Sequence, residues 1–164
     1  MAKRFSLREF QQNILDRIQQ KDEAGDRITT LGIQIGLDNW VAEMHDIEAV
    51  LTLPAVTPVP LTQSWYCGVA NVRGNLYSIV DLAEFMGLGE TARMGQCRVL
   101  LVGRKFAVNS GLLVARVLGL RDARGWQTEV IDGESCYRDE QGQLWRKLGI
   151  GKLLQQPNFL QIGV

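Results

Sequence analysis

The chain has 164 residues, 46% of them hydrophobic and 22% charged, which suits one compact domain or two small half-domains that share a core. Its 18 basic and 18 acidic side chains balance and are scattered, which argues against nucleic-acid binding because that usually begins with a basic patch. No apolar stretch approaches the ~20 residues that span a bilayer, and the polar, basic N-terminus is unlike a signal peptide. We therefore expect a cytoplasmic protein with no direct membrane insertion.

The first predicted element is an amphipathic N-terminal helix. Ser6 is a suitable N-cap with Glu9 three positions later, and Phe5 and Phe10 flank it as a hydrophobic staple. The helix carries one apolar stripe, formed by Leu7, Phe10, Ile14 and Ile18. Because an isolated helix of this length is marginal in water, the stripe must pack on the protein's own core or on a partner, and both remain open.

A change of period after residue 28 predicts short strands. Apolar residues alternate with small or polar ones over 28–37, and Asp38-Asn39 is a suitable turn into a strand from Trp40. Residues 44–50 fit a helical turn or a strand equally well. The three prolines within 54–60 exclude a long regular element there.

A second hairpin is predicted over residues 69–80, around Arg73-Gly74-Asn75. The glycine permits a tight turn, and the arginine fork at the corner can bind backbone carbonyls or a carboxylate, or be presented to a partner. Asp81 follows as the N-cap of a short helix over 82–86, which Gly87 ends.

The second half of the chain gives weaker signals. Strands are predicted at 98–102 and 112–118, whereas 121–141 is polar with no strong period. Residues 142–154 repeat the turn, strand and short helix of 74–86 at an offset of 68 positions. This echo suggests two similar β half-domains, each closed by a small helix.

The sequence offers no constellation for catalysis or metal binding, and no cofactor is predicted. The chain has no G-x-S-x-G motif whose serine its single histidine, His45, could activate as a general base. We expect His45 at the surface. Three widely spaced cysteines without a C-x-x-C pair are expected to be half-buried thiols; they are Cys67, Cys97 and Cys136. We therefore expect a protein that is not an enzyme.

The run G-V-A-N-V-R-G-N-L-Y-S-I-V-D-L-A-E-F-M-G-L, residues 68–88, resembles the signature of CheW-like domains, G-V-x-N-L-R-G-x-x-x-P-V-x-D-L-x-x-x-x-G. The likeness extends over about 28–154, including the strand at 111–117 and the closing helix at 148–154. The N-terminal helix and the sequence after residue 157 are more similar to PilI-type members.

The resemblance implies a mainly β fold of two tandem five-stranded SH3-like β-barrels sharing a core, with an N-terminal helix and a short helix closing each half. We divide the chain into the helix and linker (1–26), the CheW-like domain with two β subdomains (27–157) and a C-terminal tail (158–164).

The resemblance also implies a function. Family members couple a chemoreceptor (methyl-accepting protein) to a CheA-like histidine kinase, binding the receptor's helical tip with one surface and the kinase's regulatory domain with another. They act in chemotaxis or type IV pilus pathways, and receptors would recruit the protein to the inner membrane face. Two alternatives remain: a CheW-fold scaffold or inhibitor that acts without a receptor, and a small-barrel nucleic-acid binder.

The predicted docking site is a groove between the two barrels, and its residues carry over from the family motifs. They are Ile47, Val50, Asn71, Arg73, Gly74 and Val114. One departure bears on it: Glu48 is displaced by one position from the family's V-x-E-V pattern, a shift that turns a strand side chain to the other face.

Overall fold

The computed structural model describes residues 30–164, so the predicted N-terminal helix and its linker lie outside the described residues. The described part is mainly β, as predicted, with eleven strands and three short α-helices. The elements are β1 (Thr30–Ile35), β2 (Asp38–Glu43), β3 (Ile47–Thr52), β4 (Tyr66–Val72), β5 (Asn75–Asp81), α1 (Leu82–Phe85), β6 (Arg98–Val102), β7 (Ser110–Val114), β8 (Arg116–Arg121), β9 (Gln127–Ile131), β10 (Glu134–Arg138), β11 (Leu144–Leu148), α2 (Ile150–Gln155) and α3 (Pro157–Leu160).

The strands form two sheets, which confirms the predicted pair of β units, but the units are not both five-stranded and do not follow one another along the chain. One sheet has five strands in the order β3-β6-β7-β5-β4, but the other has six, in the order β8-β1-β2-β11-β10-β9. The units are also not tandem, because the N-terminal hairpin β1–β2 pairs with strands from the end of the chain. The SH3-like character of each barrel stays a prediction.

The two sheets nevertheless share one pairing pattern. In each, a strand that leads into a short helix runs parallel to its inner neighbour: β5 beside β7, and β11 beside β2. Antiparallel partners then extend both sheets in the same order. The repeat predicted from the sequence is therefore present, with β1 and β2 supplied from the other end of the chain.

The main core lies between the sheets. Alternate residues of β6 and β7 face it, so that Leu100, Leu112 and Val114 are fully buried there with side chains from β1, β2 and the helices. The opposite face of the five-stranded sheet encloses a second cluster, which includes Ile79 and Leu113. Burial on both faces explains why β6 and β7 are almost continuously apolar.

Several local predictions are corrected by the structure. The first hairpin turns at Gly36-Leu37, where Gly36 has a φ of +62°, and Asp38 already begins β2. The ambiguous residues 44–50 contain a 3-10 turn, Met44–Asp46, followed by β3. The predicted strand 112–118 is two strands that separate at Ala115.

The polar region 121–141 contains the hairpin β9–β10, which the sequence did not reveal. Most of β9 is exposed, so its side chains show no apolar alternation. The predicted short helix after Asp81 is confirmed as α1, with the Glu84 amide donating to the Asp81 carboxylate at 3.3 Å.

The C-terminal residues belong to the packed domain. Phe159 of α3 is buried in the main core beside Trp65 and Phe85. The Gln63 amide donates to the Ile162 carbonyl at 2.7 Å. Within residues 30–164, no helix is both long and apolar enough to cross a membrane.

Candidate functional site

Arg73 and Gly74 form the two-residue turn between β4 and β5. Their φ angles are +51° and +82°, the sign that a type I′ hairpin turn requires at both central positions. The Asn71 side-chain oxygen accepts a hydrogen bond from the Gly74 amide at 3.0 Å and so closes the turn. Asn71, Arg73 and Gly74 are all exposed, so the structure brings these three predicted residues together at one surface corner.

The Arg73 guanidinium is presented to solvent. None of the ion pairs among residues 30–164 involves it. Glu48, the acidic residue displaced from the family pattern, accepts at Oε1 from Arg104 Nε at 2.9 Å. Of the roles open to Arg73, the structure therefore excludes a salt bridge inside the described domain.

A β-bulge explains the position of Glu48. The register between β3 and β6 shifts between Ile47 and Ala49, which leaves Glu48 without a partner in the ladder. Because of this extra residue, Ile47 and Val50 lie on the same face of the sheet, opposite Val102 and Leu100 respectively. The displaced acidic residue is accommodated by the bulge.

The predicted apolar site residues differ in exposure. Val114 is fully buried in the main core and packs within the protein, so it cannot contact a partner in this arrangement. Ile47 is half-buried against the same core, whereas Val50 is 39% exposed. Val50 also stands apart from Arg73, because β3 and β4 are the two edges of the five-stranded sheet.

Sequence reasoning missed Leu76, which lies directly opposite Asn71 in the β4–β5 ladder and is 60% exposed. The signal was present in the alternation of β5, since Tyr77 and Ile79 point into the second cluster and Leu76 must face away from them. Arg73, Asn71, Gly74 and Leu76 together form what we call the Arg73 corner.

Charged side chains lie at the start of β3, the other edge of the same sheet. His45 Nε2 lies 3.3 Å from a carboxylate oxygen of Asp46, which also pairs with Lys105. His45 is therefore a surface residue, as predicted, and its ring stands between Asp46 and Glu43.

A groove of about 930 Å³ opens on a different side of the molecule from the Arg73 corner. Side chains and backbone of β2, β10, β11 and α2 line it, and none of the six predicted site residues does. We call it the β11 groove.

The described residues contain no grouping of three or more His, Cys, Asp or Glu side chains that could hold a metal. All three cysteines are buried free thiols, and burial raises the pKa of Cys67 to about 11. A thiol that stays protonated at neutral pH is a poor nucleophile.

The site offers an exposed cation on a tight turn and an exposed leucine in the strand that follows it. Comparison with known proteins places it in a family: a sequence model of the CheW-like domain matches residues 29–157. The chain belongs to the family of CheW-like domains.

Curated relatives include proteins from two kinds of system. The chain is 37% identical to protein PilI of Pseudomonas aeruginosa over 101 residues, which is 62% of this chain and 56% of that one. It is 33% identical to chemotaxis protein CheW of Thermotoga maritima over 90 residues, 55% of this chain and 58% of that one. Protein FrzA of Myxococcus xanthus is 39% identical over 77 residues, 47% of this chain and 48% of that one.

The matches thus span only about half the length of these relatives. The fold is also similar to that of the scaffolding protein TtCheW from Thermoanaerobacter tengcongensis, with a TM-score of 0.67 over 80% of this chain and 95% of that chain. Sequence identity to TtCheW is 16%, so this likeness concerns the fold alone.

Proposed function

We propose that this CheW-like protein is a non-catalytic adaptor that couples a chemoreceptor to a CheA-like histidine kinase in a bacterial chemotaxis or type IV pilus pathway. Membership of the family and the likeness to PilI, CheW and FrzA support an adaptor role. The single observation that carries the docking site is the exposed Arg73 guanidinium, which has no salt bridge within residues 30–164.

Backbone strain supports a docking role for this residue. A side chain with a Cβ at positive φ costs roughly 1–2 kcal/mol, and this turn type favours Asn, Asp or Gly at the position that Arg73 occupies. Sparsely populated backbone conformations tend to occur where function requires them. Here the strained position carries a planar fork of five donors, which suits the carbonyls and carboxylates of a partner.

Apolar surface beside this cation supports a helical partner. Leu76 supplies an exposed anchor next to Asn71, and Val50, three strands away at the β3 edge, is a separate exposed apolar residue. An amphipathic receptor helix can contact apolar anchors while polar side chains at the rim fix its register. Ile47 would support Val50 from the core, and Val114 is omitted from the contact surface because it is buried.

The second partner requires a second surface. We place the regulatory domain of the kinase near the other turns of the five-stranded half, away from the Arg73 corner. Binding to a receptor would recruit the protein from the cytoplasm to the inner membrane face.

The test measures binding of the purified chain to a chemoreceptor cytoplasmic fragment and to the CheA-like kinase of the same organism, separately, by isothermal titration calorimetry. Arg73→Ala should weaken receptor binding about 30-fold, which corresponds to ~2 kcal/mol at a docking centre. The matched control is Asp132→Ala, which removes a charged side chain from the turn Asp132-Gly133 of the β9–β10 hairpin, where φ is also positive.

Equal receptor affinity for folded wild type and Arg73→Ala would contradict the site. Kinase binding without receptor binding would favour the scaffold or inhibitor alternative, and binding to neither would reject the adaptor role. Salt-sensitive retention on heparin would instead favour the nucleic-acid alternative.

A further inference from the structure

Two segments of the chain carry no charged side chain, and the fold brings them together. Residues 49–72 and residues 153–164 contain no Asp, Glu, Lys, Arg or His, although 22% of the whole chain is charged. The two segments meet in a short antiparallel pair outside the two sheets, where Thr62 lies opposite Gly163. Depletion of charge is a mark of the surface that two proteins bury between them.

Apolar side chains at this junction are exposed. Leu61 is 84% exposed and Val164 is 87% exposed, and the Val164 amide donates to the Leu61 carbonyl at 3.0 Å, so the two residues lie side by side. Val59 and Leu160, a few positions away on the same two segments, are exposed as well. We call these four residues the Leu61 patch. Exposed apolar patches of this kind mark sites of protein interaction.

The backbone holds Leu61 in solvent at a cost. Its φ is +59°, a region that leucine rarely adopts and that favours glycine or asparagine. The Thr62 hydroxyl donates to the Val59 carbonyl at 2.8 Å and closes this turn. Packing inside the described domain does not explain the strained leucine, because most of its side chain is exposed. Strained backbone of this kind tends to occur where function requires it.

The outer edge of residues 162–164 is open to further pairing. On one side of Gly163, the Ile162 carbonyl accepts from the Gln63 amide at 2.7 Å; on the other side, the Val164 amide is bonded to the neighbouring segment. The Gly163 amide itself donates to no backbone carbonyl among residues 30–164. Its carbonyl accepts only from the Gln63 side-chain amide, at 3.5 Å. An edge without a charge or a proline can template the pairing of another strand.

We propose that the Leu61 patch joins two copies of this chain, with residues 162–164 of the copies paired antiparallel about a two-fold axis. A second copy suits this surface because an uncharged patch attracts neither sign of charge and its own twin is equally uncharged. A two-fold axis at Gly163 also sets each Gly163 amide opposite the other copy's Gly163 carbonyl.

The contact between the copies is small. Specific dimers bury roughly 800 Å² on each partner, and four apolar side chains with one short strand lie at the low end of that range. We therefore expect a weak, reversible dimer. The proposal is independent of the adaptor function, and it uses no residue of the Arg73 corner or of the β11 groove.

Sedimentation velocity of the chain of residues 1–164, over a roughly hundredfold range of concentration, should show a monomer–dimer equilibrium. Leu61→Asn should weaken the association about tenfold or more while the turn is kept, because asparagine tolerates positive φ. The matched control, Leu37→Asn, replaces another exposed leucine, in the turn between β1 and β2, and should associate as wild type does. A roughly tenfold rise in salt should not weaken the dimer, because no charged side chain is involved.

Exchange of the Gly163 amide with solvent, followed by NMR, gives a second measurement. It should slow as the dimer forms in wild type and in Leu37→Asn, and unchanged exchange in the dimer would overturn the strand pairing. A wild-type chain that stays monomeric, a Leu61→Asn variant that dimerises as wild type does, or an association that weakens with salt would overturn the proposal. Loss of kinase binding in Leu61→Asn without self-association of the wild type would also overturn it, and would assign the patch to the kinase.

Discussion

The two halves of this protein contain the same turn–strand–helix unit, and each unit is held by one aspartate, but at opposite ends. In the five-stranded half, Asp81 stands at the junction of β5 and α1. In the six-stranded half, the position 68 residues later is Gly149, which gives α2 no side-chain cap, and Asp139 stands instead at the turn before β11.

Asp81 secures the helix end of the first unit. It is fully buried and accepts hydrogen bonds from the Thr91 amide at 2.8 Å, the Thr91 hydroxyl at 2.6 Å and the Glu84 amide at 3.3 Å. The connection between α1 and β6 is thereby fixed without any contribution from the Arg73 turn.

Asp139 secures the turn end of the second unit. Its carboxylate accepts from the Gln141 and Gln143 amides at 2.9 and 2.8 Å and from the Trp145 indole at 2.9 Å. The Trp145 ring packs at a tilt of 31° against Trp126, and Arg121 lies over the Trp145 ring. This turn is therefore committed to internal contacts.

The Arg73 turn and the Asp139 turn therefore differ in whether a nearby cationic side chain is held by contacts inside the domain. At the Asp139 turn the nearby cation, Arg121, lies over the ring of Trp145, whose indole N–H donates to Asp139. A turn that relies on a short side-chain oxygen such as that of Asn71 leaves the Arg73 guanidinium available.

The largest expected effect is at Asp81. Asp81→Ala leaves the buried Thr91 hydroxyl and two amides without their acceptor, and should lower the free energy of unfolding by about 3 kcal/mol. Urea denaturation followed by tryptophan fluorescence measures it. Thr91→Val, which removes only one of these hydrogen bonds, should lower it by about 1 kcal/mol. A loss of less than about 1 kcal/mol in the free energy of unfolding of Asp81→Ala would contradict the conclusion that Asp81 secures the helix end of the first unit.

The second prediction concerns pH and Asp139. The hydrogen bond from Trp145, followed by the amide hydrogen bonds, lowers the pKa of Asp139 below its usual range. A depressed pKa means that the stabilisation is present above the unfolded pKa of about 4 and is lost as pH falls through the folded pKa. Asp139→Asn should therefore be less stable than wild type at pH 7, and the difference should shrink below about pH 4. Urea midpoints measured from pH 7 to pH 2.5 test this; a constant difference would contradict it.

The smallest effect is expected at the Arg73 turn itself. Arg73→Asn places the preferred Asn-Gly pair in a type I′ turn and should raise the free energy of unfolding by up to about 1 kcal/mol. Asp132→Asn is the matched variant, and it should change stability little because Asp-Gly is already a preferred pair. If Arg73→Asn is the less stable protein, the arginine has a stabilising contact and the strain argument fails. A more stable variant that binds the receptor fragment poorly would sharpen the contrast between the two units.

The sequence by itself determined the features that depend on neighbouring residues. The turn at Arg73-Gly74 and the Asp81 cap follow from local chemistry, because glycine at positive φ and an aspartate before a helix act over a few positions. The motif built from them was long enough to indicate the CheW-like family, which the family match confirms.

Tertiary structure alone decided what depends on pairing between distant segments. The return of β1 and β2 to the C-terminal sheet and the bulge at Glu48 are set by strand partners roughly 50 to 100 positions away, and Val114 is buried by side chains from both sheets. The hairpin β9–β10 escaped detection because β9 is mostly exposed and Cys136 is the only fully buried residue of β10, so neither strand carries a periodic apolar signal. A sheet edge, a bulge and a buried face are properties of the ladder, and no single segment of the sequence contains them.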